Sequence, residues 1–318
     1  MCGKLIVAVT EEEVPRLDDL FYRGTENGAE GLRMVDADEI AEIEPYSAGV
    51  KGIFSPNTGI IDYSEVSRMY AQEFGETGGD LLTNAELISV ERRDGLIYLN
   101  TTAGLVTTRN VINCAGLHAD YVAKMMGVDT GVRIVPIRGE YFSIIPEKAY
   151  MVKGLIYPVP DPKLPFLGVH FTRRVNGSVE AGPNAVLAFA KEGYSKTSAN
   201  AQDLLNTFAY PGFWKMSAKF WQVGVKEQYR SLVKGAFVKS LKTLIPDIEE
   251  GDLGDPGAGV RAQAVDKNGN LLQDFSISET DNAIHVMSAP SPGATSSLTI
   301  SEYIVGMAEE SFGLRSVA

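Results

Sequence analysis

Apolar positions recur along this chain with two periods, and the switches between them lay out its elements. "CGKLIVAV" is a near-continuous apolar run and predicts a strand starting within a few residues of Met1. Thr10 and Glu13 then match a capping box, and Val14, Leu17, Leu20 and Phe21 fall on one face of a helix ending near Gly28. "DADEIAEIEP" predicts a short helix stopped by Pro45, and "VKGIFSPNTGIID" a strand. Asp62 and Glu65 form a second capping box, ahead of an amphipathic helix through Val66, Met69, Tyr70 and Phe74. From Ala85 to Gly116 the period drops to two. This stretch predicts a β-meander with turns at "RRDG" and "TTAG" and a last strand from Arg109 to Cys114.

Further on, "LHADYVAKMMG" predicts a short helix stopped by Gly127, and "RIVPIRGEYFSII" alternates as a strand. Residues 155 to 190 hold several strand candidates separated by "PVPDP", "TRRVNGS" and "GPNA". Residues 198 to 246 are mostly helical, and the remainder returns to strands before a final helix. No internal repeat stands out. Mixed strands and helices with an inserted meander predict an α/β architecture with an added α+β domain.

Composition narrows the function classes. A chain of 318 residues, 44% hydrophobic and 22% charged, can bury a large core as one or two domains. No apolar run approaches the roughly 18 residues of a membrane span, and the N-terminus lacks the features of a signal peptide. The net charge of −12 argues against nonspecific nucleic-acid binding, which depends on basic residues. It leaves anionic small molecules open, because local arginines decide those. Cys2 and Cys114 are the only cysteines and give neither a disulfide framework nor zinc spacing. A reducing, cytoplasmic compartment is expected, with peripheral membrane association left open. His118, His170 and His285 form no metal pair, so no metal site is expected.

Four motifs carry candidate chemistry. "GAGVRA", Gly257 to Ala262, matches the glycine fingerprint of dinucleotide sites, but neither a strand before it nor a helix after it is predicted. It reads instead as a close backbone approach at the start of a strand. "VINCAGLHAD" is an apolar strand ending in small residues before a helix, either a ligand-facing strand end or a plain β-to-α turn. "SPGATSSLTISEYI" brings Gly293 and small hydroxyl residues to a helix start, which fits an anion or an ordinary capped helix equally. In "LGVHFTRRVNGS", alternation places Val169 and Phe171 on one face and His170 on the other, with "TRRVNGS" as a hairpin tip.

These pieces, in this order, resemble the FAD-dependent D-amino-acid-oxidase-like (glycine oxidase type) superfamily, and more narrowly its L-2-hydroxyglutarate oxidase/dehydrogenase branch. "CGKLIVAVTEEEVPRL", "GIIDY", "VINCAGLHAD", "RIVPIRGEYF", "PDPKLPFLGVHFT", "GPNAVLAF", "GVRAQ" and "SPGATSSLTISEYI" carry the resemblance. It implies a Rossmann-like FAD-binding domain, incomplete here, interleaved with an antiparallel-sheet substrate domain. The FAD-binding domain would comprise residues 61–127 and 253–318, and the substrate domain residues 1–60 and 128–252. The implied activity is oxidation of L-2-hydroxyglutarate, or a related 2-hydroxy acid, by hydride transfer to flavin, with oxygen or a quinone as acceptor. An amino-acid or glycerol-3-phosphate oxidoreductase is the variant within the superfamily.

The resemblance implies cofactor contacts from Val90, Cys114, Ala115, Gly116, Gly259, Val260, Gly293, Ala294, Thr295 and Ser296. It implies a substrate pocket built from His170, Arg138, Asn184 and Arg261. Two substrate carboxylates call for arginine forks, and a neutral imidazole suits removal of the hydroxyl proton. Tyr63 and Tyr157 are expected to be packing aromatics that add hydrogen bonds at most. The family opens with a βαβ unit of about 30 residues, which has no counterpart ahead of "CGKL". The expectation is an N-terminally truncated member. Such a chain pairs with itself or with a separate N-terminal polypeptide, or persists as a noncatalytic fragment that cannot retain FAD alone.

Overall fold

The computed structural model describes residues 1–162 and 166–314, so the "KLP" of "PDPKLPFLGVHFT" lies outside the described residues. Strand β1 (Lys4–Ala8) buries Leu5 and Val7 and leaves Lys4 and Ile6 half-buried on its other side. A single 3-10 turn, Glu11–Glu13, leads into α1 (Val14–Glu26). Thr10 makes no side-chain capping bond. Glu13 instead accepts from the Val9 N–H at 2.7 Å, so only the returning half of the expected box exists, one residue early. A complete box forms at Asp36 and Glu39, where β2 (Arg33–Asp36) meets α2 (Ala37–Ile43).

Next come β3 (Lys51–Ser55) and α3 (Tyr63–Glu76). Asp62 caps α3 through the N–H groups of Ser64 and Glu65, at 2.9 and 3.4 Å. The apolar face of α3 is uncovered: Met69, Tyr70 and Phe74 are 43%, 42% and 50% exposed. The meander is β4 (Leu87–Arg93), β5 (Leu96–Thr101) and β6 (Gly104–Thr108). Asp94 and Gly95, both at positive φ, make its first turn, as a two-residue hairpin requires.

The chain continues through β7 (Val111–Asn113), α4 (Ala119–Met125), β8 (Val132–Ile144), β9 (Leu155–Pro158), β10 (His170–Arg173), β11 (Val179–Gly182) and β12 (Val186–Leu187). Three helices follow, α5 (Ala201–Phe208), α6 (Pro211–Leu232) and α7 (Lys234–Leu241). The chain then closes with β13 (Leu253–Asp266), β14 (Ser276–Thr280), β15 (Ala283–Ser288) and α8 (Ser297–Ser311). Strand β7, expected as the last strand of the meander, leaves it and pairs in parallel with β15. That contact is nonlocal, so no turn signal announces it.

Nine strands form the main sheet, in the order β12-β8-β11-β10-β9-β1-β3-β2, with β13 pairing along β8. The motif "GAGVRA" lies wholly inside β13, with no turn into a helix. Leu253–Asp266, assigned from sequence to the cofactor-binding unit, therefore runs in the main sheet. One face of that sheet carries Leu5, Val7, Ile156, Phe171 and Ala181, packed against Ile40 of α2 and Phe237 and Leu241 of α7. Phe171 and Phe237 are almost fully buried. Each such side chain contributes about 1.5–3 kcal/mol relative to exposure.

The opposite face is covered at both ends. Helix α1 packs Leu17 over β1 and β3, and α6 packs Phe213 and Met216 over Val135, Ile137 and Val265 of β8 and β13. Strand order leaves β9, β10 and β11 between these two covers. A second cluster unites β5, β15 and the residue that ends α4 through Ile97, Ala283 and Met126, and α8 packs Ile304 and Ala308 on Ile284 and Val286.

Candidate active site

Register decides which side chains share the stretch of sheet between α1 and α6. His170 lies opposite Gly182, and Tyr141 lies opposite Gly257. Gly139 faces Gly259, and Ile137 faces Arg261. Residues two apart on a strand share a face, so His170, Tyr157, Tyr141 and Arg261 all project from the face opposite the Phe171 core. All four are half-buried.

The His170 imidazole stacks on Tyr157 with ring centroids 4.0 Å apart and planes 23° from parallel. Its Nδ1 lies 3.0 Å from the Gly168 carbonyl oxygen. A carbonyl only accepts, so Nδ1 carries the hydrogen and Nε2 keeps its lone pair. Burial pulls the His170 pKa down to about 4, helped by the positive charges of Lys4 and Arg261 and opposed by the Gly168 bond. The imidazole is therefore neutral near pH 7.

Arg261 donates from Nη1 to the Asn184 carbonyl at 3.3 Å, and its guanidinium lies 5.5 Å over the Phe166 ring. Among the described residues no carboxylate lies within 4.0 Å of it. Burial lowers its pKa. Gly139 gives this side chain its room: a Cβ there would stand 2.7 Å from Arg261 Nη1.

Arg138 and Asn184 are not brought to this face. Arg138 pairs across the sheet with Val186 and Val260, whereas Arg261 pairs with Ile137. The Arg138 guanidinium donates to Glu140 Oε1 through Nε and Nη2, at 3.1 and 2.9 Å, and to the Ser195 carbonyl at 2.9 Å. Asn184 accepts from the Glu140 N–H at 2.8 Å and donates to Glu140 Oε2 at 2.7 Å. All three are buried. Their polar groups satisfy one another, and Glu140, which composition and motif searching passed over, is the hub.

The residues expected around a cofactor are spread over β4, the turn after β7, β13 and the start of α8. Cys114, Ala115 and Gly116 are exposed at the end of β7, and Gly116 sits at φ +53°. Cys114 carries a free, exposed thiol. Asn113 shapes this turn, accepting from the Ala115 N–H at 3.1 Å and donating to the Ala119 carbonyl at 2.8 Å. His285, fully buried on β15, sits 3.1 Å from the Asn113 amide. Beyond the turn, Lys191 is buried with Asp120 at 2.6 Å and bonds the Leu117 carbonyl at 2.5 Å. Asn113, His285, Asp120 and Lys191 were missed in sequence because their partners are distant along the chain.

At α8, no side chain caps the N-terminus, and the Thr295 hydroxyl donates to the Pro292 carbonyl at 3.0 Å. Ala294 and Thr295 are exposed, while Gly293 packs so closely that a Cβ would stand 2.7 Å from the Ala289 carbonyl. An uncapped helix start offers backbone N–H groups and positive potential to an anionic or reduced ring system. A Cβ at Gly259 would meet nothing within 4 Å. Val260 turns its side chain toward Arg138, and Val90 packs into the Ile97 cluster. Among the described residues no group of His, Cys, Asp and Glu could hold a metal ion.

Open small-residue turns and an uncapped helix start suit a large planar dinucleotide cofactor. Residues 1–307 match the family model described as FAD dependent oxidoreductase, DAO. The chain belongs to this FAD-dependent oxidoreductase family. It is 51% identical over 301 residues to the L-2-hydroxyglutarate dehydrogenase of Indibacter alkaliphilus, covering 94% of this chain and 75% of that protein. It is 44% identical over 330 residues to the mitochondrial L-2-hydroxyglutarate dehydrogenase of Homo sapiens, covering 98% and 71%. The fold is that of the family's solved members. Dithionite-reduced L-alpha-glycerophosphate oxidase from Mycoplasma pneumoniae with FAD bound superposes with a TM-score of 0.75 at 21% identity, over 96% of this chain and 72% of the other. Glycine oxidase from Geobacillus kaustophilus gives 0.67 at 16%, over 97% and 70%. FAD is thus the cofactor of the family, and the mixed α/β fold with its antiparallel sheet agrees with the architecture expected from sequence. No helix among the described residues is long and apolar enough to cross a membrane.

Proposed function

We propose that this chain oxidises L-2-hydroxyglutarate to 2-oxoglutarate with FAD. The observation that carries the reading is the pairing, on one sheet face, of a neutral His170 with a free Nε2 and an Arg261 that has no carboxylate within ion-pair distance, its acidic neighbour Glu227 being paired with Arg230. An arginine fork binds a carboxylate bidentately, so Arg261 would hold the C1 carboxylate of a 2-hydroxy acid. His170 Nε2 would take the C2 hydroxyl proton. Bound FAD supplies the hydride acceptor. Tyr157 fixes the imidazole by stacking, and the Gly168 carbonyl fixes its tautomer. Relatives named L-2-hydroxyglutarate dehydrogenase, at 44–51% identity over nearly the whole chain, support the substrate.

The proposed cofactor contacts are Cys114, Ala115, Gly116, Gly259 and Gly293 to Ser296, with β13 shared between the cofactor unit (61–127 and 253–318) and the substrate unit (1–60 and 128–252). Oxygen or a quinone would reoxidise the flavin, in a reducing compartment suited to two free cysteines. A second reading has its own support. Strand β7 pairs on one side only, with β15, and α3 exposes Met69, Tyr70 and Phe74. An open strand edge and an uncovered apolar helix face each favour completion by further polypeptide, as a homo-oligomer or a separate segment, before FAD is retained. Purified chain should show flavin absorption that bleaches on adding L-2-hydroxyglutarate. A colourless protein that takes up no added FAD would favour the second reading, and a yellow protein inert to 2-hydroxy acids would overturn the substrate.

A further inference from the structure

The substrate-facing side of the main sheet carries one more cation. Lys4 opens β1 and pairs in parallel register with Leu155, so its side chain emerges on the same face as Tyr157 and His170. Its Nζ lies 4.1 Å from the centroid of the Tyr157 ring, the ring on which His170 stacks. Tyr157 thus touches Lys4 and His170 together. The Lys4 charge reaches the imidazole, as does that of Arg261, since both depress its proton affinity. Lys4 is half-buried, and burial lowers its own pKa. Among the described residues it has no carboxylate partner and no hydrogen-bond acceptor for its ammonium, only the Tyr157 ring.

A half-buried ammonium without an anion is costly unless a ligand supplies one. The neighbouring cations make the contrast. Lys153 donates to the Glu42 carbonyl, Arg173 to the Val152 carbonyl, and Arg174 pairs with Glu180. Lys4 has only a ring face. We propose that Lys4 is the specificity-determining residue for the distal carboxylate of a dicarboxylic 2-hydroxy acid, with Arg261 on the proximal carboxylate and His170 at the hydroxyl between them. This assignment rests on the 2-hydroxy-acid reading of the same site and adds what that reading lacks, a reason for choosing a dicarboxylate over a monocarboxylate. Tyr157 then acts as a positioning residue, holding the ammonium and the imidazole on one ring.

The test compares two 2-oxo acids, the product form of the reaction, by calorimetric titration into the full chain. The ligands are 2-oxoglutarate and 2-oxobutyrate, which share the proximal carboxylate and differ in the distal one. The wild type is expected to bind 2-oxoglutarate at least tenfold more tightly. Lys4→Met should weaken 2-oxoglutarate at least tenfold and change 2-oxobutyrate less than threefold, which also shows that the variant is folded. Lys4→Arg should restore at least part of the preference. Equal losses for both ligands, or a Lys4→Met variant that keeps the preference, would overturn the assignment and leave the 2-hydroxy-acid reading standing. A wild type that binds neither ligand would overturn both.

Discussion

His170 lies face to face with Tyr157, 4.0 Å between ring centroids, while its Nδ1 is tied to the Gly168 carbonyl. Two neighbours therefore fix the ring plane and the tautomer, and leave Nε2 as the open position. A general base contributes roughly 10²–10⁴-fold to a rate. His170→Gln should lower kcat by about that range while flavin absorption is retained. Loss of flavin along with activity would mean that His170 is structural.

The same geometry sets a pH dependence. The folded pKa of about 4 lies below the 6.5 of a free imidazole. Between these values the unfolded chain binds the proton and the folded chain does not. The stability contributed by the neutral ring is complete above pH 6.5 and is lost as pH falls toward 4. On the acid side, kcat/KM should hold through pH 6 and fall toward pH 4. An acid limb centred near 6.5 would show that His170 is not the essential base.

Arg261 and Gly139 are coupled by space. A Cβ at position 139 would stand 2.7 Å from Arg261 Nη1, the movable end of a long side chain, and 2.9 Å from Pro183 Cβ. Gly139→Ala should displace the guanidinium rather than unfold the sheet. A hydrogen bond to a charged group is worth about 1.5–3 kcal/mol, so binding of 2-oxoglutarate should weaken roughly 10- to 100-fold. Arg261→Met should do at least as much. Arg261→Lys should rescue little, because a point charge does not replace the fork. Titration of the three variants checks the order.

Much of this arrangement is legible in the local pattern of the sequence. The alternation of "VHFT" placed Phe171 in the core and His170 across from it. "RRDG" formed its turn, and α1, α2, α4 and α8 fall where periodicity put them. What stayed hidden depends on pairing between distant segments. β7 joins β15 rather than the meander, and Asn113 meets His285 across 172 positions. Two signals were present and unread. Arg138 and Glu140 are two apart on a strand, hence on one face, which warns that the arginine has a resident partner. Lys4 and Ile6 alternate against buried Leu5 and Val7, which sets Lys4 apart from the core face.

The buried Arg138–Glu140 pair separates a structural cation from a binding one. Both side chains are at most 8% exposed, and the guanidinium makes three bonds within the protein. Removing one member of such a pair leaves an uncompensated charge and costs about 3–5 kcal/mol, whereas replacing both by apolar groups of similar volume is often near neutral. Arg138→Met should therefore lower the denaturation midpoint sharply. Arg138→Met combined with Glu140→Met should recover much of the loss, held back by the Asn184 amide that bonds Glu140 Oε2 in the native chain. The double variant should bind 2-oxoglutarate with an affinity within about threefold of the wild type, because the proposed site lies on the other face of the sheet; that factor is about 0.7 kcal/mol. A double variant that is stable yet has lost 2-oxoglutarate binding would return Arg138 to the substrate pocket, and would place the carboxylate on the face that carries Val260.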